Sequence, residues 1–151
     1  MAEEGQHIFW NKLKWTDDKK GILSFAEARG VPNIEFGTPP QFGGPEGKVS
    51  PQDLYVASLN TCYLTTLLGT MGHMGISLLS YESEAEGIME RKEYKELRRA
   101  PANEISKITL RIKIKADAPK EQVKLLLKHT GRRCAVENSI KSEVVVETTI
   151  L

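Results

Sequence analysis

Cysteine is nearly absent: the 151 residues hold two, Cys62 and Cys134, 72 positions apart. That excludes a disulfide-rich scaffold and leaves buried thiols, metal ligands or a redox couple. An excess of either charge is also missing. With 21 basic and 20 acidic residues the net charge is +1, too little for a global field to gather nucleic acid or an anionic membrane, and neither partner is expected. The opening "MAEEGQHIFW" has no basic start and no apolar core, so an export signal is not expected and a cytoplasmic protein is. Metal-ligand spacings of the C-x2-C or H-x3-H type are lacking. His73 and His129 with the cysteines therefore predict no metal. "GGPEG" (43–47) is not followed by Lys-Ser/Thr and makes no phosphate cradle. There is no internal repeat and no low-complexity tract. The length fits a single domain, 1–151.

What the chain does have is one long run without charge, 54–71. It carries Ser58, Asn60, Thr61, Thr65, Thr66 and Thr70, polar groups that are costly in lipid, so a helix buried in protein is expected rather than a membrane span. Its start is well marked. Ser50 stands as N-cap, Pro51 as first helical residue, and Asp53 three places on, able to reach back to the cap. Gly72 and Gly75 are candidate stops. Cys62 lies in the middle.

The rest reads as strands and two further helices. Strands are expected at 7–15, 22–28 and 34–37, with "WTDDKKG" and "RGVPN" as turns. A Pro/Gly-rich loop at 38–51 leads to the helix. Beyond it, 76–92 alternates loosely, and 93–104 is a charged connection with room for a helical turn. At 105–118 alternation is clearest: Ile108, Leu110, Ile112, Ile114 and Ala116 face one way, Thr109, Arg111, Lys113 and Lys115 the other. Residues 117–130 form an amphipathic helix with Val123, Leu126 and Leu127 inward. Gly131 ends or breaks it. A short helix at 132–140 carries Cys134, and 143–151 is a strand. Runs of strands point to an α+β fold. One three-stranded sheet covers only one side of a helix that is apolar nearly all round, so a second layer is expected, a partner subunit included.

The stretch "TPPQFGGPEGKVSPQDLYVASLNTCY" resembles the signature of the OsmC/Ohr family, named for osmotically inducible protein C and organic hydroperoxide resistance protein. The shared features are the loop with "GG" and "P-E", and a helix opening eleven residues before a cysteine. A second cysteine follows in a short C-terminal helix after "KHTGRR". The resemblance spans essentially the whole chain. It implies two antiparallel three-stranded sheets around a central buried helix, in an intertwined homodimer with active sites at the subunit interface. It also implies reduction of organic hydroperoxides, with Cys62 peroxidatic, Cys134 resolving and a dithiol reductant restoring the pair. No cofactor is implied.

Such a thiol must ionise. A free thiol has a pKa of about 8.5, and burial raises it. Cys62 therefore needs a nearby cation or convergent donors. In the family an arginine from the N-terminal sheet, held by a glutamate, supplies the charge. Here the glutamate position is Gln52, Arg29 is the only arginine before residue 91, and Lys19 and Lys20 occupy the earlier turn. Two functions follow: a thiol peroxidase, or a non-catalytic dimeric scaffold or small-ligand binder that lacks this activation. Other residues have plainer readings. Tyr55, Leu59 and Tyr63 read as core packing before a pocket for an alkyl tail, and Arg132 and Arg133 as solvated charges.

Overall fold

Aromatic and β-branched residues interrupted by turn formers shape the first third of the chain. In a computed structural model describing residues 4–93 and 101–151, it folds as a three-stranded antiparallel sheet of order β1-β2-β3. The strands are β1 (Asn11–Asp17), β2 (Lys20–Phe25) and β3 (Ile34–Gly37). The first hairpin is tighter than expected. Trp15 to Asp17 belong to β1, which starts at Asn11 rather than residue 7, and only Asp18 and Lys19 turn the chain. Asp18 takes φ 42, where aspartate is tolerated, and the Trp15 indole N–H donates to its carbonyl at 2.8 Å. Residues up to Leu54 form one compact unit and Tyr55–Leu151 a second.

Helix α1 (Pro51–Met74) starts as its cap signals require. The Asp53 amide donates to Ser50 Oγ at 3.1 Å, and the Ser50 amide donates back to Asp53 Oδ2 at 2.9 Å, a reciprocal capping box. The helix runs through Gly72 and stops at Gly75, whose φ of 66 suits a residue without Cβ. It buries a single stripe of Leu59, Tyr63, Leu67, Thr70 and Met71. Ala57, Thr61, Leu68 and Gly69 on another face are exposed, so α1 is not buried all round within this chain.

The second sheet has the order β4-β5-β6, with β4 at Leu78–Lys92, β5 at Ala102–Ala116 and β6 at Glu143–Ile150. The β5 alternation resolves as read: Ile108, Leu110, Ile112 and Ile114 are buried, and Arg111, Lys113 and Lys115 exposed. Thr109 is the exception, being buried. The expected all-antiparallel sheet needs correction. β4 pairs antiparallel with β5, but β5 pairs parallel with β6, from Lys107↔Glu143 to Ile114↔Ile150. The reason lies in the connection: α2 (Lys120–Arg133) and α3 (Ala135–Ser139) carry the chain back to the end where β5 began, as a helical crossover between parallel strands does. Gly131 does not break α2, which continues to Arg133. Part of the charged connection expected at 93–104, with its helical turn, lies outside the described residues.

The main core of this unit joins α1, β5 and α2 through Tyr63, Leu67, Met71, Leu110, Ile112 and Leu126, among others. Each large side chain buried there contributes about 1.5–3 kcal/mol. A smaller cluster of Leu59, Ile108 and Cys134 sits where α1 crosses the sheet closely. A Cβ on Gly87 of β4 would lie 2.6 Å from Val56 Cγ2, so this crossing needs glycine.

Candidate functional site

Cys62 belongs to α1, and Cys134 to the junction between α2 and α3. They are 72 residues apart in sequence, yet they share the smaller apolar cluster. Cys134 is fully buried against Leu59 and Ile108, and Cys62 is partly buried beside it. Both thiols are free. Cys134 has an extended backbone (φ −66, ψ 110) that ends α2 and begins α3. The first amides of a helix have no partner within it. Here those amides serve sulfur. The amides of Ala135 and Val136 favour a thiolate at Cys62, and the amide of Glu137 favours one at Cys134.

Burial pushes the Cys62 thiol up. The Val136 amide, the Cys134 thiol, Thr66 and the Ala135 amide outweigh it together and hold Cys62 below the ordinary thiol value. Thr66 Oγ1 is 3.9 Å from Cys62 Sγ, one turn along α1. Cys134 moves the other way. Burial, above all, together with the bond to Cys62 and the nearby charges, outweighs the Glu137 amide and raises it to about 11. One thiol is thus primed to ionise and its neighbour is kept protonated to donate to it. Convergent donors supply this bias, and no lysine or arginine is among them.

The asymmetry has a direct readout. Alkylation of Cys62 in the reduced protein should rise about tenfold per pH unit and level off at a lower pH than an unperturbed thiol does. Cys134 should stay unreactive until pH approaches about 11. Iodoacetamide rates resolved by mass at each cysteine measure both. An inflection for Cys62 at or above the free-thiol value would contradict the geometry.

The remaining sequence-derived residues are placed as follows. Gln52 lies in the first turn of α1 with Oε1 buried and unpartnered. It precedes Cys62 by ten residues, about 15 Å of helical rise, so on its own helix it is out of reach of that sulfur. Arg29 is exposed at the end of a short 3-10 turn, Glu27–Arg29. Lys19 donates to the carbonyls of Gly43 and Phe42 at 3.2 and 3.4 Å, and Lys20 pairs with Asp17 at 3.5 Å. Tyr55 and Tyr63 hydrogen-bond Ser142 Oγ and the Leu127 carbonyl, and with Leu59 they are packing residues. Arg132 and Arg133 are exposed. Among the described residues no cluster of three His, Cys, Asp or Glu side chains can hold a metal. Among the described residues no helix is long and apolar enough to cross a membrane.

Sequence reasoning missed Thr66 and the amides of residues 135–137. The i, i+4 spacing of Cys62 and Thr66 was a usable signal. Backbone amides leave no trace in residue identity.

Comparison with known proteins bears on the family and the fold. Residues 43–149 match the family model described as OsmC-like protein. Over 148 residues the chain is 22% identical to the uncharacterized protein YmaD of Bacillus subtilis, covering 93% of this chain and 91% of that one. Among solved structures, an OsmC-like protein of unknown function from Vibrio cholerae superposes with TM-score 0.81 at 19% identity, over 95% of this chain and 100% of that one. The organic hydroperoxide resistance protein OhrB of Bacillus subtilis gives 0.63 at 17% identity, over 95% and 98%. These likenesses establish a common α+β fold.

Proposed function

We propose, on the premise that the chain belongs to the OsmC-like protein family, that it is a thiol-dependent peroxidase acting on organic hydroperoxides. The observation that carries this reading is that the two thiols share one apolar cluster, with Cys62 biased toward thiolate and Cys134 away from it. The kinship with proteins named for organic hydroperoxide resistance supports it.

The Cys62 thiolate attacks the terminal oxygen of the peroxide. The O–O bond breaks, the alcohol leaves with a proton, and Cys62 becomes a sulfenic acid. Cys134 then attacks that sulfur. An S–S bond forms, the S–O bond breaks, and the Cys134 proton leaves with hydroxide as water. A dithiol reductant returns the pair to thiols by exchange. Such a cycle suits a reducing compartment, and we assign the protein to the cytoplasm.

The working unit in this reading is a homodimer. The unit up to Leu54 buries only Gly21, Gly37 and Ser50 among its described residues, while Phe9, Trp10, Leu13 and Trp15 stay exposed. Leu68 on the open face of α1 is exposed too. Apolar area of this kind marks an association surface, and a second copy supplies the cover. Gln52 reaches a Cys62 only across such an interface.

The test is one equivalent of cumene hydroperoxide added to reduced protein. The expected product has lost two hydrogens, and its peptide map joins Cys62 to Cys134. The absence of both a disulfide and a sulfenic acid at Cys62 would overturn the reading. The neutral Gln52 favours a second reading, a non-catalytic scaffold or small-ligand binder. Sustained turnover by the native protein removes it. A large gain with Gln52→Glu, over a near-inert native protein, would establish it.

A further inference from the structure

A second feature of the Tyr55–Leu151 unit is a cavity that neither thiol lines, although Glu137 borders both it and Cys134. Between α2, α3 and β6 lies an open cavity of about 520 Å³, within the range of small-molecule sites. Its floor is apolar, with Tyr63, Leu127 and Val146. Along one rim run Lys124, Lys128 and Arg132, spaced i, i+4, i+8 on α2 and so stacked on one face of that helix. Lys124 is engaged by Glu121 at 2.8 Å. Lys128 and Arg132 are exposed and have no carboxylate partner among the described residues.

Across the cavity sits Glu137. Its Oε2 is buried and has no hydrogen-bond partner among the described residues, an unfavourable state for a carboxylate oxygen. Gly131 leaves it room: a Cβ there would lie 3.4 Å from Oε2. Two loose cations and the Glu137 side chain, one of whose oxygens is buried without a partner, thus border the same space without pairing with each other. A ligand that completes both ends must carry an anion and a donor on one short apolar body.

We propose that this cavity binds a short organic zwitterion, its carboxylate or phosphate held by Lys128 and Arg132 and its ammonium by the Glu137 carboxylate. The apolar floor takes the intervening methylenes. Two-ended recognition explains why Glu137 is retained beside a cationic rim, where a site for simple anions would exclude it.

The test is a titration of the reduced, isotope-labelled protein followed by backbone amide shifts. The probes are γ-aminobutyrate, ε-aminohexanoate and ω-aminooctanoate, with hexanoate and hexylamine as one-ended controls. At least one amino acid should give saturable shifts centred on Gly131, Glu137 and Asn138, and should bind tighter than either control. Arg132→Glu, or Lys128→Glu if the first variant does not fold, should weaken it about tenfold, which is 1.4 kcal/mol. Glu137→Gln should abolish the preference over hexanoate. Three outcomes would overturn the proposal: no saturable shift with any amino acid, hexanoate binding as well as the best of them, or indifference to both charge reversals. None of these bears on peroxide reduction, so the two readings stand or fall apart.

Discussion

Serine at position 62 should leave no hydroperoxide consumption above the buffer background, a loss on the order of a thousandfold or more, as expected when a covalent nucleophile is removed. The exchange is small in volume at a partly buried position, so the fold should survive, and an unchanged melting temperature checks this. The loss is then chemical: a serine hydroxyl does not ionise near neutral pH, whereas Cys62 is held below the ordinary thiol value by two amides, a thiol and a hydroxyl. The companion variant separates the two sulfurs. Cys134→Ser should consume one equivalent in a burst and then stall as a sulfenic acid, and excess peroxide should carry it on to sulfinic and sulfonic acids. Peroxide loss with dithiothreitol as reductant reads the first variant, and peroxide loss without any reductant, with intact mass at each time point, reads the second. Consumption by Cys62→Ser at the native rate would move the chemistry elsewhere.

The second large effect is on stability. Leu67→Ala should cost about 2–5 kcal/mol, the usual range for a buried leucine whose neighbours cannot close the gap. Leu67 is fully buried in the cluster shared with Tyr63, Met71, Leu110 and Leu126, between a helix and a hydrogen-bonded sheet that leave little room for collapse. Against a typical total of about 5–15 kcal/mol this is a large fraction. Urea unfolding should show a lower midpoint at an unchanged slope. Leu68, one position on, is 48% exposed in the single chain. Leu68→Ala should cost about 0.5 kcal/mol or less if that face meets water. If a second copy covers it, the cost grows and depends on protein concentration.

Much of this architecture was legible because its signals are local. The β5 alternation gave Ile108, Leu110, Ile112 and Ile114 their buried face, and Ser50 with Asp53 fixed the start of α1. The pairing of β5 with β6 was not legible, since strand direction depends on where a crossover returns the chain, which periodicity does not encode. Gly131 misled for a related reason. A glycine costs a helix about 1 kcal/mol, but Leu126, Leu127 and Thr130 are buried on the same turns and hold α2 together past it. At the site, both cysteines were legible as residues. The need for a nearby cation or convergent donors at Cys62 was legible too, but not which of them, since the amides of residues 135 and 136 leave no mark on residue identity.

The parallel crossover also bears on how the chain emerges from the ribosome. β6 begins 27 residues after β5 ends, a lag of roughly one to five seconds at ordinary synthesis rates. In that interval a nascent β4–β5 hairpin leaves the outer edge of β5 unpaired as well as that of β4, the arrangement most prone to recruiting a neighbouring polypeptide. Arg111, Lys113 and Lys115 project from that edge strand, where like charges on adjacent nascent chains repel. The same side chains that decorate the outer face of the finished sheet thereby act as gatekeepers during its biogenesis.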